Sequence, residues 1–403
     1  MSDEQQPPAP PQGSWPPPAP QQYPPPYSGQ PPPYPPPYQP PYPGQAYPGQ
    51  AYPYAQQGYP PPYPPPPYPG YSAKPPKPAF PHDRPRQYHH MLRTWDYAPW
   101  RSAVGIIVVI IGFIVIAPVV ALPVLFIGLA IEGGDIMDNL ESFGTLEKIT
   151  PSSMLYLNVT LGLAILVTWV VIRLLHGMRP RWLSSVAPKL RWGFLMACLG
   201  VSVGALVASF IVGAIVPGTP ADQELTGKLN EFTPTAAWIA LIVLLTTPFQ
   251  AAGEEYVFRG YLLQAIGSFV ERTWWKWGAI IITSLLFAMA HGLQNFPLFF
   301  DRFMFGFIAG WLAIRTGGLE AGIALHVLNN YLAFGFALAF GDISESLGVS
   351  EVSWWNIPVT LTQAGVYALL VVLVARKMAV KNETSPPVSA PVPVAAGPFW
   401  SHP

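Results

Sequence analysis

Three short polar clusters interrupt the apolar second half of this 403-residue chain: Glu254-Glu255-x-x-x-Arg259, Phe287-x-x-x-His291 and His326-x-x-x-Asn330. A charged group at mid-membrane depth costs a few kcal/mol or more, so such residues face the protein interior and mark chemistry. Two carboxylates, two imidazoles, a guanidinium and an amide, gathered from three helices, are a toolkit for hydrolysis. A lone intramembrane histidine is often just an interhelical hydrogen-bonder. Two of them beside an acidic pair weaken that reading. The other histidines, His82, His89, His90, His176 and His402, fall in tails or loops, where an imidazole needs no special role.

Neighbouring glutamates on a helix point about 100° apart, so Glu254 and Glu255 cannot share one target. Arg259 stands four residues after Glu255, which favours a pair along one face and leaves Glu254 free to aim elsewhere. Taken alone, this motif equally suits an ion pair that closes a helix end. His326 and Asn330 also share a face. An imidazole and an amide there suit an oxyanion hole, where fixed donors meet charge developing on a carbonyl oxygen; Asn329 points elsewhere. No Gly-x-Ser-x-Gly elbow, His-Glu-x-x-His helix or Walker loop is present. An aspartyl mechanism would need two buried aspartates; Asp301 is the one candidate, and its neighbour Arg302 suggests a salt-bridged helix end.

The elements that must position these groups are apolar helices. Half the residues are hydrophobic, 10% are charged and the net charge is zero. Soluble domains carry about a quarter charged residues, and a nucleic-acid partner would call for a basic surface. The expected fold is all-α: a polytopic transmembrane bundle of about eight spans, near 103–130, 153–175, 193–216, 237–263, 277–294, 299–315, 319–340 and 357–375. The intervening loops alternate. Glu132, Asp135, Asp138, Glu141 and Glu147 mark the first, Arg173, Arg179, Arg181, Lys189 and Arg191 the second, and Asp342, Glu345 and Glu351 the last. Basic loops stay in the cytoplasm, so the expectation is a multi-pass cell-membrane protein with both termini cytoplasmic. Trp95, Trp100, Trp192, Trp238, Trp274, Trp275, Trp277, Trp354 and Trp355 sit at expected span ends, as an interfacial belt should.

Residues 1–85 read as a disordered Pro/Tyr-rich cytoplasmic tail, 86–102 as a basic juxtamembrane segment, 103–380 as the bundle and 381–403 as a flexible tail. Polyproline tracts such as Pro32-Pro33-Tyr34-Pro35-Pro36-Pro37-Tyr38 bury little surface. The tail is either a docking strip for a partner with an aromatic-lined groove or a solubilising tether. The start of the chain has no basic-then-apolar signal peptide, and the single Cys198 excludes an intrachain disulfide.

In these three motifs, in this order on separate helices, the chain resembles the CPBP family. That family includes the type II CAAX prenyl endopeptidases and the bacteriocin-processing or self-immunity (Abi) proteins. The resemblance covers about residues 190–340. It implies an intramembrane endopeptidase, a hydrolase acting on a membrane-associated protein or peptide among the lipids. Glu254 and His291 would activate water, and His326 and Asn330 would stabilise the oxyanion, with Glu255 and Arg259 as structural support. Glu254, His291 and His326 would also make a metalloprotease-type Zn2+ site with water in the fourth position. Both schemes use the same residues; Asn330, a poor zinc ligand, favours the metal-free one. The reading from another class is a non-enzymatic immunity factor, scaffold or transporter that uses the cluster for binding. For Glu254 to reach the depth of His291, the fourth helix must be long, continuing past a bend at Pro248 through Leu263.

Overall fold

A computed structural model describes residues 81–217 and 228–386. The Pro/Tyr-rich expectation for residues 1–80 and the flexible-tail expectation for 387–403 lie outside the described residues. Within them the chain is helical: α1 (Pro99–Glu132), α2 (Pro151–Leu175), α3 (Trp192–Ile215), α4 (Pro234–Phe269), α5 (Trp275–Met289), α6 (Phe296–Thr316), α7 (Glu320–Phe340) and α8 (Asn356–Lys377). Two short helices, Ile136–Gly144 and Ile343–Gly348, lie in loops. Seven of the eight are long and apolar enough to cross a membrane, and α5, at 15 residues, is shorter.

Local sequence starts and stops these helices. A capping box of Thr150 and Ser153 opens α2, Thr233 caps α4, and Asn295 caps α6. Gly317, at φ +72°, ends α6 in the left-handed conformation that only glycine adopts without strain. The first half of α4 packs against α2 and α7, while α5 and α6 pack together and meet α4 beyond residue 255. Gly253 permits the α2 contact: a Cβ there would stand 1.9 Å from the Leu161 carbonyl oxygen. All the tryptophans of the expected belt except Trp275 are exposed.

The end of the bundle that carries the basic loops is roofed by packed chain, which reaches past both expected boundaries. His82, inside the expected tail, is 2% exposed and bonds the Met91 carbonyl at 2.7 Å. Thr384, in the other expected tail, is 4% exposed, and its amide bonds the Arg86 carbonyl at 3.0 Å. The basic juxtamembrane segment is folded rather than free: Arg84, Arg86 and Arg93 all pair with Glu271 in the α4–α5 loop. Three of the cations at this end are thus paired within the protein. Glu320 is fully buried at the start of α7 and accepts from the Arg191 side chain at 2.8 and 2.6 Å and from its backbone N–H at 2.8 Å, which fixes the depth of α7 against α3.

Candidate active site

Helix α4 does not stop near Glu254. It continues to Phe269, through a π-helical stretch at Tyr256–Leu262. Glu254 therefore lies 15 residues from the end of α4, and His291 lies 16 residues from the start of α5. At 1.5 Å per residue both sit about 22–24 Å above the basic end. The long-helix expectation describes the chain. π turns recur at functional sites because the wider turn re-aims side chains; here the stretch carries Arg259.

Arg259 is fully buried and donates from Nη1 to Glu255 Oε1 at 2.7 Å. Its Nε and Nη2 have no hydrogen-bond partner. Aromatic faces take their place: the guanidinium carbon is 4.2 Å from the Phe287 ring centroid and 5.2 Å from that of Phe305. This gives the phenylalanine of Phe287-x-x-x-His291 a physical role, a π platform for the buried cation, which the sequence reading left open. Glycines make the room. A Cβ on Gly306 would be 3.1 Å from Arg259 Nη2, and one on Gly322 would be 2.4 Å from Glu255 Oε2.

Glu255 Oε1 also faces His326 Nδ1 at 3.1 Å. A carboxylate can only accept, so Nδ1 carries the proton and the ring is fixed with Nε2 turned towards the other glutamate. That nitrogen stands 4.0 Å from Glu254 Oε2. Phe287 and Phe305 hold the imidazole edge-on, at 5.9 and 4.9 Å between centroids.

Gln250, one turn before Glu254, was missed by the sequence reading. It donates from Nε2 to Glu254 Oε1 at 2.5 Å and accepts from Asn330 Nδ2 at 2.7 Å. The acceptor-only carboxylate sets the direction of this relay: Gln250 must donate to Glu254, so its oxygen is left for Asn330. The signal was available, since Gln250 is a polar residue at i−4 from Glu254 within an apolar span.

His291 is exposed, just beyond the last turn of α5, with Nδ1 2.8 Å from the Phe287 carbonyl oxygen. Its ring edge meets Phe287 at 4.7 Å, the same ring that stands 5.9 Å from His326. Glu254, Glu255, His326 and Asn330 are thus joined by direct contacts or through Gln250, and His291 stands at their rim. Asp301 and Arg302 do not form the expected helix-end pair: Asp301 accepts from Thr360, and Arg302 donates to Gln294 at 2.7 Å. Among the described residues, no three His, Cys, Asp or Glu side chains are gathered as metal ligands. Glu254, His291 and His326 as placed do not fit a zinc site, and the chemistry below uses protein groups alone.

Comparison with known proteins agrees with the motifs. Residues 235–332 match the family model described as type II CAAX prenyl endopeptidase Rce1-like. An uncharacterized 24.3 kDa protein of Escherichia coli is 29% identical over 151 residues, which are 36% of this chain and 67% of that one. The uncharacterized protein YyaK of Bacillus subtilis is 26% identical over 155 residues, 34% of this chain and 51% of that one. The chain thus spans between half and two thirds of these relatives. No solved structure matches.

Proposed function

From the premise of an Rce1-like, CPBP-type domain over residues 235–332, we propose that this multi-pass membrane protein is an intramembrane endopeptidase. It hydrolyses a peptide bond of a membrane-associated protein or peptide, and both of its termini lie in the cytoplasm. Glu254 is the general base. Its Oε2 takes a proton from a water held between it and His291, and the water oxygen attacks the scissile carbonyl carbon. Charge develops on the carbonyl oxygen, where His326, protonated on both ring nitrogens in this step, offers Nε2–H beside the second Nδ2 proton of Asn330. Collapse breaks the C–N bond, and Glu254 returns the proton to the leaving amine.

Glu255 supports rather than reacts: its Oε1 is already shared by Arg259 and His326. The observation that carries the reading is the 4.0 Å approach of Glu254 Oε2 to His326 Nε2 within a buried cluster. A base and an electrophilic donor on either side of a carbonyl need that kind of separation. The test is cleavage of a pool of transmembrane peptides by the full chain in proteoliposomes, read by mass spectrometry. Wild type yields defined products, and Glu254→Gln lowers the rate a hundredfold to ten-thousandfold with an unchanged melting temperature. Unimpaired cleavage by Glu254→Gln, or none by wild type, overturns the assignment.

A further inference from the structure

We infer that substrate and water reach this site from the end of the bundle that carries the acidic loops, through a notch above the short helix α5. The substrate is accordingly a membrane-anchored polypeptide that presents an extended stretch of chain on that face. The identity of the ligand rests on the peptidase reading; the route does not.

Two observations define the route. The first is a wall that is missing on one side. Helix α5 ends at Met289, two residues before His291. Its neighbours around the site continue: α7 runs ten residues beyond Asn330 to Phe340, and α4 begins twenty residues before Glu254, at Pro234. At 1.5 Å per residue these helices rise about 15 and 30 Å above the site. Between α5 and α6 the chain is irregular, and Met289, Ala290, His291, Gly292 and Leu293 are consecutively exposed. Irregular backbone at membrane depth is tolerated only where protein buries it or where it lines a water-filled cavity. Exposure excludes the first case here. Loop residue Asn295 is bonded to Ser350 and Val352 ahead of α8, so the rim is fixed.

The second observation is a seal on the opposite side. Every residue of α4 from Gly253 to Ser268 is buried, whereas the half before Gln250 buries a single stripe. Below Glu254, the Tyr256 and Ser184 hydroxyls bond at 2.6 Å, Gln264 bonds the Trp182 carbonyl, and Tyr88, fully buried, bonds that of Leu183. A substrate from the basic end would have to dismantle this layer. From the notch it meets Met289, Leu293 and Phe296 at the mouth, exposed by 64%, 96% and 57%. These give a greasy lip for apolar side chains, with Glu254 and Asn330 beneath.

Side-resolved thiol labelling decides the point. In a Cys198→Ala background, single cysteines are placed at the site (Glu254→Cys, and separately His291→Cys at the exposed rim). Others go at the two ends as references (Asp138→Cys and Arg179→Cys). Sealed vesicles of each orientation are treated with a charged, membrane-impermeant methanethiosulfonate. Both site cysteines should react in the orientation that labels Asp138→Cys, and at least tenfold more slowly in the one that labels Arg179→Cys. Reaction from the Arg179 side, or from neither side, overturns the route. The His291→Cys rim variant covers a misfolded Glu254→Cys. Labelling needs no turnover, so a correct sidedness without cleavage would sink only the peptidase reading, and cleavage with the opposite sidedness only the route.

Discussion

The two adjacent glutamates are chemically identical, and their neighbours divide the labour. Glu255 is fully buried and holds both Arg259 and His326, so Glu255→Gln strands a guanidinium in low dielectric and releases the imidazole. Breaking such a buried pair costs about 3–5 kcal/mol. A melt in detergent should therefore drop sharply for Glu255→Gln and stay level for Glu254→Gln. A stable but inactive Glu255→Gln beside an active Glu254→Gln would reverse the two roles. Gln250 makes a finer prediction. Gln250→Leu leaves Glu254 Oε1 and an Asn330 amide proton without their partners at 2.5 and 2.7 Å. An unpaired buried polar group costs about 1–3 kcal/mol. We expect that cost as a slower turnover of about tenfold to a hundredfold, with substrate affinity retained, in the peptide-cleavage assay; a wild-type rate would remove Gln250 from the relay.

Among the elements, the segment before α1 behaves least like its composition. His89 is 1% exposed with neither ring nitrogen bonded, and His90 lies 3.9 Å from it between ring centroids. Burial first, then His90 and Lys276, pushes His89 down to about 3; burial first, then Arg93 and Arg86, pushes His90 down to about 4 against the opposing pull of Glu271 and the Gly267 backbone. Burial also lowers His82, against the pull of the Met91 carbonyl and Asp83. The unfolded segment therefore binds more protons than the docked one between about pH 4 and 6.5. Its docking is fully stable above 6.5 and weakens as pH falls through that window. Glu271 adds in the same direction at lower pH: burial opposes its charge, but the bond from Arg86 and the fields of Arg86, Arg93 and Arg84 hold it below the usual carboxylate value. At about 1.4 kcal/mol per pKa unit the penalty near pH 4.5 is on the order of a few kcal/mol. Hydrogen exchange at Tyr88–Leu92 should accelerate at least tenfold between pH 7 and 5, after correction for intrinsic rates, ahead of any change in α4. Unchanged protection would show that the imidazoles find partners when charged.

At the scale of the whole molecule, the eight apolar helices α1–α8 of the described residues run between an acidic end and a basic one. Basic loops resist translocation, so the orientation proposed above puts the basic end, with its roof of packed chain, in the cytoplasm and the notch on the other side. Reporter fusions after residue 140 and after residue 180 should give signals on opposite sides of the membrane, with the second cytoplasmic. Signals on one side would break both the topology and the sidedness inferred for the substrate.

Hydropathy alone located the eight apolar helices of the described residues, because about twenty apolar residues in a row have few other places to go. It ended the fourth at 263 and the fifth at 294, whereas α4 continues to Phe269 and α5 stops at Met289. The i,i+4 spacing of Glu255 and Arg259 likewise foretold their bond, since helix geometry is local. What sequence could not decide depended on registry between helices. Spacing within α4 says nothing of Gln250 reaching Asn330 on α7, of Phe287 and Phe305 enclosing Arg259, or of His326 lying between two carboxylates. The same holds for His82, His89 and His176, read as ordinary loop imidazoles and found buried at 2%, 1% and 6%. Loop composition reports that a residue can meet water, whereas burial depends on which distant segment packs over it, and that is a property of the assembled bundle.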